Sequence, residues 1–271
     1  MSISNTPLIT IVTICYNSEL YIKRTMESVV NQTYNSIEHI IIDGNSTDKT
    51  LEIVKSYQNK YNEKKLIILS ESDKGISDAF NKGTLLASGE FINYLNSGDE
   101  LVDNYILEKV VKSKLLEKEC INCFDTINIE GPLQKYSSAK IDLESIIKKT
   151  TICHQSVLID SNLAKKYKFD ERLKLEMEYD IWYRLYRDNH KFKHIEIPLS
   201  KYLIGGISSQ NVIKGIILHY MVACINYNDK VSLKGLRKTL ITCYKQTIKE
   251  FIKKMIGKNI YFLKKYFKSR R

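Results

Sequence analysis

The sequence predicts an α/β fold in which a mostly parallel sheet carries helices on both faces. Through the first 115 residues, short apolar runs rich in β-branched residues alternate with amphipathic segments. Strands that are apolar along their whole length are typical of parallel sheets that are covered on both sides. The 271 residues include only 3 Pro and 11 Gly, and 43% are hydrophobic, which favours a globular α/β core over a loop-rich all-β protein.

The first half should contain four strands and four helices in alternation. The strands are expected at residues 8–15, 37–43, 66–70 and 91–95. The helices are expected at residues 19–32, 47–61, 76–87 and 103–116. The side chains of the first helix that should face the core are Leu20, Met26, Val29 and Val30. Ser46 and Asp48 are placed to cap the exposed amides of the second helix.

The second part of the chain is less regular. Its expected strands are residues 119–129, 151–159, 192–197 and 201–204, with a turn at Gly131-Pro132. An aromatic-rich helix is expected at residues 177–189, and from about residue 212 the pattern is helical to the end. These changes divide the chain into residues 1–115, 116–211 and 212–271.

The chain carries a net charge of +11, and residues 230–271 account for it with 14 Lys and Arg against the single acid Glu250. Apolar residues recur at helical spacing among these lysines, and a basic amphipathic helix is typical of binding to an anionic membrane surface. A helix pair with a solvated basic face is the alternative. A nucleic-acid partner is not favoured, because the charge is confined to the tail and no recognition motif accompanies it.

Six cysteines are scattered along a chain that begins without a charged and apolar leader, so we expect reduced thiols and a cytosolic location. Cys120 and Cys123 form an isolated CxxC with no second pair at zinc spacing, which favours buried strand cysteines over a zinc site. No apolar run approaches the roughly 18–20 residues of a membrane span.

Polar clusters follow each of the first four expected strands. They are Tyr16-Asn17, residues 43–48, residues 71–74 and residues 96–100. The carboxyl ends of parallel strands converge on one crevice, where ligands bind in open α/β sheets. The chain contains neither GxGxxG nor GxxxxGK[ST], so the sequence supports neither a dinucleotide-binding fold nor a P-loop.

Each cluster also has a purely structural interpretation. Asp43, Ser46 and Asp48 could only shape a strand-to-helix turn. Lys74 could be a solvated lysine instead of a phosphate contact, and Asp99 could cap the following helix instead of binding a cation. These alternatives stay open at the level of spacing alone.

Five segments, taken in order and spacing, resemble the inverting glycosyltransferases of family 2. They are ITIVTICYN, IIDGNSTDKT, SDKGISDAFNKG, LASGEFINYLNSGDE and EYDIWYRL, and the match covers roughly residues 7–210. The chain is similar to the bacterial enzymes that build O-antigen, capsule and other surface polysaccharides. The resemblance implies the GT-A fold, which is Rossmann-like, with a nucleotide-sugar-binding half at residues 1–115. Residues 116–211 would be the acceptor-binding and catalytic half, and residues 212–271 a helical, basic extension.

The resemblance also implies which residues contact the donor. The positions that match the nucleotide and donor-sugar contacts of the family are Thr13, Tyr16, Asn17, Asp43, Lys74, Asp78, Asn81 and Asn96. Residues 96–99 stand at the family's DxD motif, which holds Mg²⁺ or Mn²⁺ against the donor diphosphate. Asn at position 96 and Gly at position 98 depart from that motif, so Asp99 is the metal-binding carboxylate that the match leaves. One carboxylate is compatible with Mg²⁺, which keeps waters and phosphate oxygens as its other ligands.

The family places its general base at an acid just before an aromatic helix. Glu178 matches that base, and Asp180 is the competitor two residues later. Acids that only stabilise a helix N-terminus are the structural alternative. Weaker matches are His154 and Gln155 on the acceptor side, and Gly206 and Ser208 in a loop that would close over the diphosphate. A core histidine and a plain turn would explain these four equally well.

The implied activity is that of a hexosyltransferase-type enzyme which moves a sugar from a nucleotide-diphosphate sugar, with a UDP-sugar favoured. The acceptor would be a lipid-linked glycan, at the inner face of the cytoplasmic membrane and reached through the basic tail. A non-catalytic scaffold that binds sugar nucleotides is the first alternative, because the metal motif lacks two acids; a nucleic-acid binder is the second. The sequence leaves the sugar, the acceptor, the linkage and the oligomeric state open, a homo-oligomer included.

Overall fold

The structure, a computed structural model, describes residues 6–141, 152–173, 176–204 and the separate positions 241, 244 and 245. The chain divides into two compact units, Met1–Gly206 and Ile207–Arg271. In the second unit the three described positions have helical backbone. The rest of the expected C-terminal helix lies outside the described residues. No described helix has both the length and the apolar character needed to span a membrane.

The elements of the first unit alternate as expected in its first half. The strands are β1 (Ile9–Cys15), β2 (Ile37–Asp43), β3 (Lys65–Ser70), β4 (Phe91–Tyr94), β5 (Glu100–Leu101), β6 (Cys120–Glu130), β7 (Leu133–Ser137), β8 (Val157–Asp160) and β9 (Lys191–Leu203). The α-helices are α1 (Ile22–Val30), α2 (Thr50–Ser56), α3 (Ile76–Leu86), α4 (Ile106–Lys112), α5 (Ser161–Tyr167) and α6 (Met177–Arg187). Two short 3₁₀ turns lie at Gln58–Lys60 and His154–Ser156.

The strands form one sheet in the order β3-β2-β1-β4-β8-β6-β9-β5, with β7 paired to β6. The neighbours among β1 to β4 are parallel, whereas β8 runs antiparallel to both β4 and β6. The register pairs Cys15 with Asp43 and Asp43 with Ser70, so the carboxyl ends of β1, β2 and β3 lie side by side. The predicted α/β fold is confirmed, with parallel pairing among β1 to β4 and again between β6 and β9.

Helices cover both faces of the parallel strands. Met26 and Val29 of α1 are buried in one apolar cluster with Ile9 and Ile11 of β1. On the other face α3 lies against β1 so closely that a Cβ at Gly83 would come within 2.3 Å of the Val12 side chain. Because successive strand residues point to opposite faces, the alternation of Ile9, Ile11 and Val12 supplies both contacts.

Three expectations for the elements are wrong. Leu20 is 80% exposed, because α1 begins only at Ile22 after a turn in which the Ser18 carbonyl accepts from the Tyr21 and Ile22 amides. The expected strand at residues 151–159 is a 3₁₀ turn followed by the short β8. The two expected strands at residues 192–204 are one strand, β9, whose pairing with β6 shifts register around Pro198, a residue without an amide donor.

Candidate functional site

The loops that follow β1 and β2 are joined into one surface at the carboxyl edge of the sheet. The Asn17 side-chain oxygen accepts from the Thr47 amide at 2.9 Å, and the Asn17 amide donates to Ser46 Oγ at 2.9 Å. Asn17 and Asn45 both have positive φ, of 47° and 63°, a conformation that asparagine tolerates better than most residues. The two loops are therefore held in shape by the protein itself.

Asp43 ends β2 and is fully buried beneath this surface. Its Oδ2 accepts from the Ser46 amide at 3.1 Å and from Ser70 Oγ at 2.7 Å, while Oδ1 accepts from Ser46 Oγ and from Cys15 Sγ. The carboxylate thus links the ends of all three neighbouring strands. These four donors already occupy the carboxylate oxygens. The predicted contact of Asp43 with the nucleotide base stays a prediction.

Ser46 does not cap α2, contrary to expectation. Its hydroxyl and amide are used on Asp43 and Asn17. Asp48 takes the capping role, because its Oδ1 accepts from the Thr50 amide at 2.9 Å at the start of the helix. The loop after β2 is therefore stabilised from both of its ends.

Two residues that are predicted to contact the donor use their side chains in hydrogen bonds within the protein. The Thr13 hydroxyl is buried and lies 2.9 Å from His39 Nε2, and His39 Nδ1 in turn lies 2.5 Å from the Tyr61 hydroxyl. Asn81 uses its nitrogen on the Phe169 carbonyl at 2.9 Å and its oxygen on the Phe169 amide at 2.8 Å. Thr13 and Asn81 therefore stabilise the fold through these hydrogen bonds, and their predicted contacts with the donor stay predictions.

The exposed rim of the crevice carries Tyr16, Asn17 and Lys74. Tyr16 is 62% exposed and packs beside Gly44. A Cβ at Gly44 would lie 2.7 Å from Asp73 Oδ2 and 3.4 Å from the Tyr16 ring, so a larger residue here would require the Asp73 carboxylate to move. Lys74 is exposed, and among the described residues its ammonium has no hydrogen bond or ion pair.

Asp78 lies at the start of α3, next to this rim. Its Oδ2 accepts from the Lys74 amide at 2.9 Å and lies 3.4 Å from the Lys82 ammonium. The carboxylate therefore holds the backbone of Lys74 at the crevice. Its predicted contact near the donor sugar stays a prediction.

Asp99 lies just past β4 and is only 3% exposed. Its Oδ1 accepts from the Leu203 amide at 3.0 Å, and its Oδ2 accepts from Gln155 Nε2 at 2.8 Å. Burial raises the pKa of Asp99 to about 7, which these two hydrogen bonds only partly oppose. Asp99 does not cap the next helix, because α4 begins at Ile106.

The neighbours of Asp99 explain the departure from the DxD pattern. Gly98 has a φ of +100°, a region that L side chains rarely adopt, so an acid at this position would be strained. Asn96 Nδ2 lies 3.0 Å from His154 Nε2, whereas Asn96 Oδ1 is buried and has no hydrogen-bond partner among the described residues.

A metal centre built by the protein alone is not present in the described part of the chain, which holds no group of three or more His, Cys, Asp or Glu suited to a metal ion. The unpartnered Asn96 oxygen and the Asp99 carboxylate are nevertheless oxygen donors, the type that Mg²⁺ and Mn²⁺ prefer. These two groups fit a cation that takes its remaining ligands from a diphosphate and water.

His154 and Gln155 do not lie in mid-strand, as the sequence suggested. They form the 3₁₀ turn before β8 and contact Asn96 and Asp99, on the side expected for the donor. Sequence reasoning missed this link, because the contacts join residues 58 and 56 positions apart. The other weak matches, Gly206 and Ser208, lie outside the described residues.

Glu178 lies in the first turn of α6 and combines burial with an open acceptor. Its Oε2 is buried and has no hydrogen-bond partner within the described ranges. Burial raises the pKa of Glu178 to about 7. A carboxylate with a pKa near neutrality is suited to general base catalysis, and such shifts concentrate at functional sites. Trp182, one turn later, is buried and its Nε1 likewise has no partner in the described part of the chain.

Asp180, the competing base, is held by an ion pair. Its Oδ2 accepts from Arg184 Nε at 2.8 Å, and the same guanidinium donates to the Tyr167 and Lys168 carbonyls at 2.6 and 2.7 Å. These bonds attach α6 to the end of α5. The geometry therefore favours Glu178 over Asp180 as the group that is free to take a proton.

Comparison with known proteins agrees with this geometry. The model of the family described as Glycosyl transferase family 2 matches residues 10–173. An uncharacterized glycosyltransferase of Methanocaldococcus jannaschii is 32% identical over 210 residues, which cover 73% of this chain and 71% of the relative. An uncharacterized glycosyltransferase of Rickettsia typhi is 31% identical over 193 residues, covering 67% of this chain and 59% of the relative. The chain thus spans well over half the length of each.

Solved structures share the fold. Residues 1–349 of S. aureus TarS in complex with UDP superpose with a TM-score of 0.62 and 20% identity, over 86% of this chain and 70% of that fragment. A mannosyltransferase from Pyrobaculum calidifontis in complex with GDP-Man and Mn²⁺ superposes with a TM-score of 0.63 and 12% identity, over 83% of this chain and 65% of that one. Together with the family match, these findings show that the chain is a GT-A glycosyltransferase that belongs to glycosyltransferase family 2.

Proposed function

We propose that this glycosyltransferase inverts the anomeric centre as it moves a sugar from a nucleotide-diphosphate donor to a hydroxyl of a glycan acceptor. The donor class is supported by the ligands of structural neighbours, which include UDP, UDP-GlcNAc and GDP-Man. A UDP-sugar remains the favoured donor. The observation that carries the proposal is the buried Glu178 Oε2, which has no hydrogen-bond partner among the described residues, together with the raised pKa of that carboxyl.

Glu178 acts as the general base. Its carboxylate takes the proton of the acceptor hydroxyl as the acceptor oxygen attacks the anomeric carbon. The bond from that carbon to the diphosphate oxygen breaks on the opposite side, and its electron pair leaves with the nucleoside diphosphate. Because attack and departure occur on opposite faces in one displacement, the configuration of the sugar inverts.

The groups at the strand ends receive the leaving diphosphate. The free ammonium of Lys74 offers a positive charge at the rim of the crevice. Asn96 Oδ1 and the Asp99 carboxylate would hold Mg²⁺ or Mn²⁺ against the phosphates, and the bound cation supplies charge neutralisation for the leaving group. The loops tied together by Asn17 and Ser46 keep this surface in shape without donor.

The acceptor proposed is a lipid-linked glycan of bacterial surface polysaccharide synthesis, such as O-antigen or capsule. The support is the positive charge of residues 230–271, which contain 14 Lys and Arg and one acid. Each basic residue near an anionic membrane surface contributes about 1 kcal/mol, so such a tail would hold the enzyme at the inner face of the cytoplasmic membrane. A peripheral location would bring the crevice to acceptors that cannot leave the bilayer.

The test is a panel of UDP- and GDP-sugars, scored for release of nucleoside diphosphate with lipid-linked acceptors, and for the configuration of the product. The proposal expects release with one donor class, an inverted product and loss of turnover in EDTA. A retained configuration would contradict the mechanism. Donor binding without turnover for any acceptor would favour the non-catalytic scaffold, and salt-sensitive DNA binding without donor binding would favour a nucleic-acid partner.

A further inference from the structure

The 3₁₀ turn His154–Ser156, here called the HQS turn, contacts the two donor-side residues that follow β4. His154 Nε2 lies 3.0 Å from Asn96 Nδ2, and Gln155 Nε2 donates to Asp99 Oδ2 at 2.8 Å. His154 and Gln155 are 7% and 2% exposed, so both contacts are shielded from water. Two adjacent side chains of one turn therefore reach the two residues that stand at the metal motif.

The orientation of each amide follows from its second partner. Gln155 Oε1 accepts from Cys153 Sγ at 2.8 Å, which leaves the nitrogen of Gln155 to face Asp99. Asn96 uses its nitrogen on His154, and this leaves the Asn96 oxygen as a buried acceptor without a partner among the described residues. His154 Nε2 is the acceptor of this contact, because the Asn96 nitrogen that faces it can only donate.

The HQS turn is itself anchored independently of these contacts. Ser156 Oγ lies 2.6 Å from Ser200 Oγ of β9, and His154 packs edge-on against the ring of Phe80 at a centroid distance of 5.6 Å. A side chain held by a rigid neighbour loses less freedom when it binds a ligand, which is how outer residues support a metal site. The turn thus has the properties of a support for the Asn96 and Asp99 oxygens.

We infer that His154 and Gln155 are positioning residues of the donor site, which orient the Asn96 amide oxygen and the Asp99 carboxylate towards the cation and diphosphate of the nucleotide sugar. The inference rests on the proposed function, since it assigns these side chains to the same reaction. It moves both residues from the acceptor side, where the sequence placed them, to the donor side. It also explains how a site with Asn at position 96 and Gly at position 98 keeps two oriented oxygen donors.

The experiment measures binding rather than turnover. Isothermal titration with UDP and with GDP, each with and without Mn²⁺, gives the affinity of the wild-type full chain, and Mn²⁺ electron paramagnetic resonance reports the bound ion. Gln155→Leu removes the donor to Asp99, and His154→Phe keeps the ring that packs on Phe80 but removes the acceptor. Each change should weaken the Mn²⁺-dependent affinity about 10- to 100-fold, the usual effect of losing an outer partner of a metal site.

Two further variants make the result specific. Ser156→Ala removes a buried hydrogen bond that anchors the same turn without touching Asn96 or Asp99, and should weaken the Mn²⁺-dependent affinity less than either of the two changes above. His154→Gln restores an acceptor and should recover part of the affinity lost in His154→Phe. Thermal unfolding of each variant separates loss of binding from loss of fold.

The inference is overturned if Gln155→Leu and His154→Phe bind nucleotide and Mn²⁺ as the wild type does. It is equally overturned if Ser156→Ala loses as much affinity as they do, since the turn would then be only structural. In both cases the wild type still binds and turns over its donor, so the proposed function stands. A wild type that neither binds a nucleoside diphosphate nor releases one would instead contradict the proposed function itself.

Discussion

Two regions of the molecule differ in how their polar groups are hydrogen-bonded: the ends of β1 to β3, and the region around β4 and α6. At β1 to β3, Asp43 accepts four hydrogen bonds from the protein, and Asn17 is bonded through both its backbone and its side chain. Around β4 and α6, buried polar atoms without partners among the described residues accumulate at Asn96, Ser97, Glu178 and Trp182.

In the first region the protein itself completes the hydrogen bonds of the polar groups, whereas in the second region it leaves several of them unmade among the described residues. A buried polar atom that stays without a hydrogen bond costs about 1–3 kcal/mol, so these atoms are expected to meet water or a ligand. In the proposed function, the first region receives the nucleotide on a surface that the hydrogen bonds of the protein already hold in shape. The second region holds the atoms that a diphosphate, a cation and an acceptor hydroxyl would satisfy.

The largest expected effect comes from Glu178→Gln, which keeps the shape of the side chain and removes the base. Turnover should fall by about 10²- to 10⁴-fold, the usual contribution of a general base. Donor affinity, measured by titration with nucleoside diphosphate, should stay near the wild-type value. Full turnover in this variant would remove Glu178 from the mechanism.

Asp180→Asn tests the same assignment from the other side. It removes the charge that pairs with Arg184 at 2.8 Å, and a hydrogen bond to a charged group contributes about 1.5–3 kcal/mol. We expect the free energy of unfolding, from urea denaturation, to drop by about that amount while turnover at low temperature changes little. Loss of turnover as large as that of Glu178→Gln would make Asp180 the better candidate.

A smaller effect is expected from substitutions at Gly98. Because its φ is +100°, Gly98→Ala should cost about 1–3 kcal/mol of stability in urea denaturation. Gly98→Asp, which restores an acid to the family's motif, should be similarly unstable and gain no affinity for Mn²⁺. A stable Gly98→Asp variant with tighter Mn²⁺ binding would show that the backbone does not exclude the missing acid.

A pH-dependent difference in stability is expected as well. The pKa of Glu178 rises from an ordinary 4.5 to about 7 on folding, so the folded state binds more protons than the unfolded state between these values. The contribution of Glu178 is therefore fully present below pH 4.5 and is lost as the pH rises towards 7. Glutamine does not titrate, so the Glu178→Gln variant has no such contribution to lose. The melting temperature of the variant minus that of the wild type should therefore increase from pH 5 to pH 8. A constant difference would indicate that Glu178 is not buried as the structure places it.

Local patterns in the sequence were sufficient for the α/β fold and for the edge of the sheet that carries the site. The bounds of β2 are those predicted, and β1, β3 and β4 differ from expectation by one residue at one end. The reason is that periodicity reports how a segment is buried, and burial on both faces decides a parallel strand whatever its neighbours are. The polar residues after each strand predicted a crevice at this edge for the same local reason.

The partners of individual side chains could not be predicted in this way. Thr13 and Asn81 matched donor contacts in sequence, yet one is bonded to His39 and the other to Phe169, 88 positions away. Spacing shows that a polar residue lies near the crevice but does not show which group it meets there.

By itself, the sequence determined that this chain is an α/β protein with a polar crevice at its strand ends and acids where a family 2 glycosyltransferase needs them. Only the tertiary structure decided which of those acids is free. Asp180 lies four positions before Arg184, a helical spacing that the sequence itself shows. Only the structure shows that Asp99 accepts from Leu203, 104 positions away, and that Glu178 keeps an oxygen without a partner among the described residues. The physical reason is that hydrogen bonding depends on distance in space, and the chain brings together residues whose separation along the sequence carries no information about their contact.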